Sequence, residues 1–98
     1  MFATMICKKI NIRGKVYKTG LRYFLKQRAS QLKIKGCIFY GSDNSVEIIA
    51  IGENPELNKF IKYCHHGNKD SIVEHVQIEQ IPLQDYASFN VEDGVQSS

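Results

Sequence analysis

Ninety-eight residues, 43% of them hydrophobic and 23% charged, suffice for one small domain with one core, which buries roughly 65% of the surface of its unfolded chain. The composition excludes a long disordered or repetitive tract, and no apolar run approaches the roughly 20 residues that a membrane-crossing helix requires. The net charge of +3 is unevenly spread: residues 1–35 hold ten of the thirteen Lys and Arg and no Asp or Glu, so either the two halves neutralise each other in the fold or a positive field remains that suits a phosphorylated ligand.

The apolar opening Met1 to Cys7 is too short for a signal-peptide core, and Lys8 and Lys9 follow it instead of preceding it, so no export signal is expected. Ile6, Ile10 and Ile12 alternate with Lys9, Asn11 and Arg13, which predicts a strand over residues 5–13, ended by Gly14. Lys15 to Gly20 then reads as a short polar loop. Leu21, Phe24, Leu25, Ala29 and Leu32 recur at helical spacing, with the stem of Arg28 bordering their stripe, and predict a helix over about 21–33.

The apolar run Cys37 to Tyr40 and the run Ser45 to Ile51 flank Gly41, Ser42, Asp43 and Asn44, residue types that tolerate the left-handed backbone of a tight turn; together they predict a hairpin. Asn54 reads as the N-cap of a second helix, with Pro55 at its first position, an inward stripe of Leu57, Phe60, Ile61 and Cys64, and Gly67 as C-cap. Val73 to Ile81 alternates as a strand that Pro82 stops, and Ala87, Phe89 and Val91 form a short last strand. The order βαββαβ with an extra edge strand is that of an α+β, ferredoxin-like two-layer sandwich: a mainly antiparallel sheet covered by two helices on one face. A single domain spans 1–98, with its core over about 5–91 and a short flexible tail at 92–98.

Cys7, Cys37 and Cys64 are odd in number and lack C-x-x-C spacing, which points away from a disulfide framework or structural zinc and toward a reducing, cytoplasmic location. Cys64, His65 and His66 are adjacent on a helix and diverge, so they form no metal site; the histidines suit the negative helix end, and His75 alternates onto the polar side of its strand. The place with chemical content is the first strand-to-helix loop. Amides at a helix start lack intrahelical acceptors and, with the dipole, attract an anion, and Arg22 stands beside them with a fork that can grip a phosphate bidentately.

The segment Gly14-Lys15-Val16-Tyr17-Lys18-Thr19-Gly20-Leu21-Arg22-Tyr23-Phe24 resembles the acylphosphatase pattern G-R-V-Q-G-V-G-F-R-Y-F. Ala29, Leu32, Lys35 and Gly36 continue it without a gap, and Asp43 to Glu47 resemble the family's D-G-S-V-E hairpin; Gly52, Glu53 and Phe89 follow in order. The resemblance implies hydrolysis of the carboxyl-phosphate bond of small acyl phosphates without metal or cofactor. The backbone of Lys15, Val16, Tyr17, Lys18, Thr19 and Gly20, with Arg22, would hold the phosphate or an equivalent sulfate.

Three positions depart from the family. Tyr40 stands where the family has the asparagine that orients the attacking water, and a phenol offers one donor on a rigid ring where an amide offers a donor pair and an acceptor. Lys18 replaces a glycine, which strains the loop if that glycine serves a positive φ or else adds an ammonium to it, and Tyr17 replaces a glutamine. A weakened hydrolase is therefore expected, with a non-catalytic phosphate-binding module of the same fold as the alternative. Lys35, Gly36 and Phe39 echo part of an RNA-binding signature, but in the second strand and not the third, so nucleic acid is not an expected partner. A monomer without membrane association is expected.

Overall fold

Alternating burial along β1 (Met5–Lys15) sends Ile10 and Ile12 into the core, fully buried, and Lys9 and Arg13 to the other face. The structure is a computed structural model and describes residues 4–92. The chain continues as α1 (Leu21–Gln31), β2 (Lys35–Tyr40), β3 (Val46–Glu53), α2 (Asn54–His66), β4 (Ile72–Ile81) and β5 (Phe89–Val91). The sheet runs β4-β1-β3-β2-β5. Every neighbouring pair is antiparallel except β2 with β5, where Gly36, Cys37 and Ile38 face Phe89, Asn90 and Val91 in parallel. The expected ferredoxin-like α+β architecture is present, with β5 as the extra edge strand.

Both helices lie on one face. Leu21, Leu25 and Ala29 of α1 and Leu57, Phe60 and Cys64 of α2 are buried against Ile10, Ile12, Ile38, Val46, Ile48 and Ala50 of the sheet. Burying each Leu, Ile or Phe contributes about 1.5–3 kcal/mol. Arg28 borders the α1 stripe as expected, with its guanidinium carbon 4.9 Å from the Phe24 ring centroid and 5.1 Å from that of Tyr63 on α2.

The structure moves several expected boundaries. Gly14 does not end the first strand: the ladder to β4 continues through Gly14 and Lys15 after a register shift at Arg13/Gly14. Gly14 has φ 134°, and a Cβ there would sit 2.2 Å from the Ile72 carbonyl oxygen, so only glycine carries the strand through the irregularity. The first helix stops at Gln31 instead of 33, because Lys33 takes φ 58°. The amides of Lys33 and Ile34 then bond the carbonyls of Ser30 and Ala29, the paired closure of a Schellman motif.

Asn54 is the first helical residue of α2, with the extended Glu53 at the N-cap, so Pro55 lies one residue further in than expected. Gly67 does close that helix, at φ 68°, donating to the Tyr63 carbonyl. Asn44 supplies the left-handed residue of the hairpin turn, at φ 63°. Ala87 precedes the last strand instead of opening it. Of the expected tail, Glu92 is held: its amide bonds the Ile38 carbonyl; residues 93–98 lie outside the described residues.

Candidate functional site

The loop between β1 and α1 is tied down at both ends. Lys15 is not in the loop but in the ladder opposite Ile72, and Val16 is fully buried in the core, which leaves Tyr17, Lys18, Thr19 and Gly20 to make the turn. Lys18 has φ 57° and Gly20 φ 80°. A left-handed conformation costs a residue with a Cβ about 1–2 kcal/mol, so the lysine at the family's glycine position adopts a backbone that a glycine would hold without that cost. Its side chain folds back, with Nζ 5.3 Å from the Tyr17 ring centroid.

Two further hydrogen bonds shape the turn. The Thr19 hydroxyl donates to the Val16 carbonyl at 2.8 Å, and the Asn68 side-chain amide donates to the Thr19 carbonyl at 2.8 Å. Asn68 follows α2, forty-nine residues away in sequence, and no local pattern marks it out as a support for this loop. Gly20 caps α1 without a side-chain acceptor, and no acidic residue stands in the first turn. The positive end of the helix therefore meets the loop uncompensated by an Asp or Glu of its own.

Arg22, in that first turn, is half-buried and points across the sheet end instead of into bulk solvent. Its Nη1 donates to the Glu92 carbonyl at 3.0 Å, and its guanidinium carbon lies 4.1 Å from the centroid of the Tyr40 ring and 5.6 Å from that of Tyr23. Tyr40 ends β2 and reaches the loop: the Lys18 amide donates to its hydroxyl at 2.7 Å. The Tyr17 and Tyr40 rings are tilted by 56° with centroids 4.7 Å apart.

Arg22, Tyr40, Tyr17 and Lys18 thus meet at one end of the sheet, whereas Lys15 is paired with Ile72 in the ladder and the Val16 side chain is buried in the core. Sequence reasoning missed Asn68 and the Glu92 carbonyl. The first carries no signal, and the second is a backbone group one residue past a three-residue strand. The Lys18 amide, a guanidinium and the faces of two tyrosine rings come together here, groups of the kind that can receive an anion.

Comparison with known proteins gives this chain relatives. The sequence model of the acylphosphatase family matches residues 8–91. The chain is 36% identical over 88 residues to an acylphosphatase of Petrotoga mobilis, covering 90% of this chain and 99% of that relative. It superposes on solved acylphosphatases from Coxiella burnetii and Bacillus subtilis, each with a TM-score of 0.86 and 26% identity, covering 90% of this chain and 93% and 99% of theirs.

Proposed function

This chain belongs to the acylphosphatase family, and from that premise we propose that it hydrolyses small acyl phosphates to carboxylate and phosphate at a site built on Arg22 and the 16–20 loop. Family and fold support acyl-phosphate hydrolysis as its chemistry. In the proposed mechanism the loop amides and the Arg22 guanidinium bind the phosphoryl oxygens and stabilise the charge that builds there. Water attacks phosphorus, the bond to the acyl oxygen breaks, and a substrate phosphate oxygen takes the water proton. No step calls on a metal or cofactor.

The observation that carries this reading is convergence: the Arg22 guanidinium and the Lys18 amide both meet the side chain of residue 40, at the end of β2. Weakness comes from the same residue. A phenol there lacks the amide that would orient water, and by analogy with loss of one oxyanion donor the rate falls by about 10² to 10³. Phosphate release from acetyl phosphate tests the assignment. Arg22→Ala is expected to lose the activity, and unchanged turnover in that variant rejects the role; Tyr40→Asn is expected to raise the rate.

A second reading, a phosphate-binding module without turnover, draws on the Lys18 amide being bonded to the Tyr40 hydroxyl. It requires phosphate affinity by calorimetry that Arg22→Ala removes, with hydrolysis at background.

A further inference from the structure

The geometry points to Tyr40 as an internal ligand of the loop, its phenol standing where a phosphate oxygen would sit, so that an incoming anion must displace it. The inference rests on the reading that the loop and Arg22 form an oxyanion site. Residue 40 then has two separate effects: the missing amide slows the attack of water, and the present hydroxyl competes for the site.

Both groups proposed to receive the phosphate are engaged by this side chain. The Lys18 amide donates to Tyr40 Oη at 2.7 Å, the short end of the range for N–H···O bonds, so the phenol oxygen acts as a surrogate acceptor for an anion oxygen. The Arg22 guanidinium carbon is 4.1 Å from the centroid of the same ring, within the distance at which a cation is attracted by an aromatic face. The ring is also braced by Tyr17, whose centroid is 4.7 Å away. Lys18 keeps φ 57°, a conformation that persists in a non-glycine residue where its surroundings impose it, and the bond to Tyr40 is one such constraint.

A phosphate oxygen makes a charge-assisted bond roughly twice as strong as the neutral amide-to-phenol bond, so displacement is favourable but costs affinity. Tyr40→Phe removes the hydroxyl while keeping the ring beneath Arg22. It is therefore expected to tighten the binding of inorganic phosphate by about two- to ten-fold, the value of one net neutral hydrogen bond. The same variant restores no amide, so KM for acetyl phosphate falls while kcat stays low, unlike Tyr40→Asn, where kcat rises.

The experiment is calorimetric titration of the full chain with inorganic phosphate, in unmodified protein, Tyr40→Phe, Arg22→Ala and the double variant. The Lys18 amide resonance is followed in parallel. The inference expects tighter binding in Tyr40→Phe, loss of binding wherever Arg22 is absent, and a Lys18 amide shift when phosphate is added to the unmodified protein. Equal or weaker binding in Tyr40→Phe, with Arg22→Ala still abolishing it, overturns the inference and leaves the oxyanion site standing. Phosphate affinity indifferent to both substitutions, or absent from every variant, overturns the oxyanion site and this inference with it.

Discussion

At the tip of the hairpin, Asp43 is held as a carboxylate by Ser45 and Arg13. The Ser45 hydroxyl donates to Asp43 Oδ1 at 2.6 Å, the Ser45 amide donates to the same oxygen at 3.1 Å, and Arg13 pairs with the other oxygen. These bonds, Ser45 foremost, hold the Asp43 carboxyl down at about 2, below its ordinary 3.8. Ser45 is itself 4% exposed and accepts from the Asn11 side chain at 3.0 Å, which joins the hairpin turn to β1. Because the folded-state value is the lower one, the stabilisation is present above about pH 4 and is lost as pH falls toward 2. Ser45→Ala is expected to lower the melting temperature at pH 6, with the difference from the unmodified protein shrinking between pH 4 and pH 2. Thermal melts across that range check it, and a pH-independent difference rejects this origin of the effect.

At the scale of the elements, the ends of the helices are where sequence and structure part. The periodic stripe of α1 is legible because burial has the period of the helix, but its stop is not: helices that close with a Schellman motif usually carry glycine at the left-handed residue, and here Lys33 occupies it at φ 58°. The hairpin turn is legible for the opposite reason, since Asn44 at φ 63° is a residue type that accepts that conformation. Lys33 is exposed and remote from the candidate site, so Lys33→Gly is expected to stabilise the protein by about 0.5–1 kcal/mol by removing the Cβ penalty. Denaturant unfolding measures it, and loss of stability would show that the lysine side chain offsets its own backbone cost. Lys18 has the same backbone conformation within the loop, but its amide is bonded to Tyr40, so the loop and the strand end constrain each other.

For the whole molecule, the short edge strand β5 couples the core to the candidate site. Phe89 is 4% exposed and meets Phe60 of α2 edge to face, with centroids 5.9 Å apart, while Glu92, one residue past the strand, bonds both the Ile38 carbonyl and the Arg22 guanidinium. Phe89→Ala is expected to cost about 3–5 kcal/mol. At roughly 4–8 °C per kcal/mol for a domain of this size, the melting temperature falls by tens of degrees. Below that melting temperature, phosphate affinity is also expected to drop, because Arg22 loses the carbonyl that orients it. Calorimetry on the folded variant checks this, and unchanged affinity uncouples β5 from Arg22.

The order of the elements, the inward stripes of β1 and of both helices and the family motif around Arg22 are determined by the sequence alone, because a period of two or 3.6 and a run of motif residues are local properties of a chain. The consecutive apolar residues of β2 and β3 carry no such period, and their sides follow from strand pairing. The tertiary structure alone decided what surrounds Arg22. Tyr40 bonds an amide twenty-two residues away, Asn68 a carbonyl forty-nine away and Glu92 a guanidinium seventy away. Such contacts follow from strand register and from the φ values of a few loop residues. A register shift at Gly14 or a lysine in a left-handed conformation redirects side chains without changing any local hydrophobic pattern.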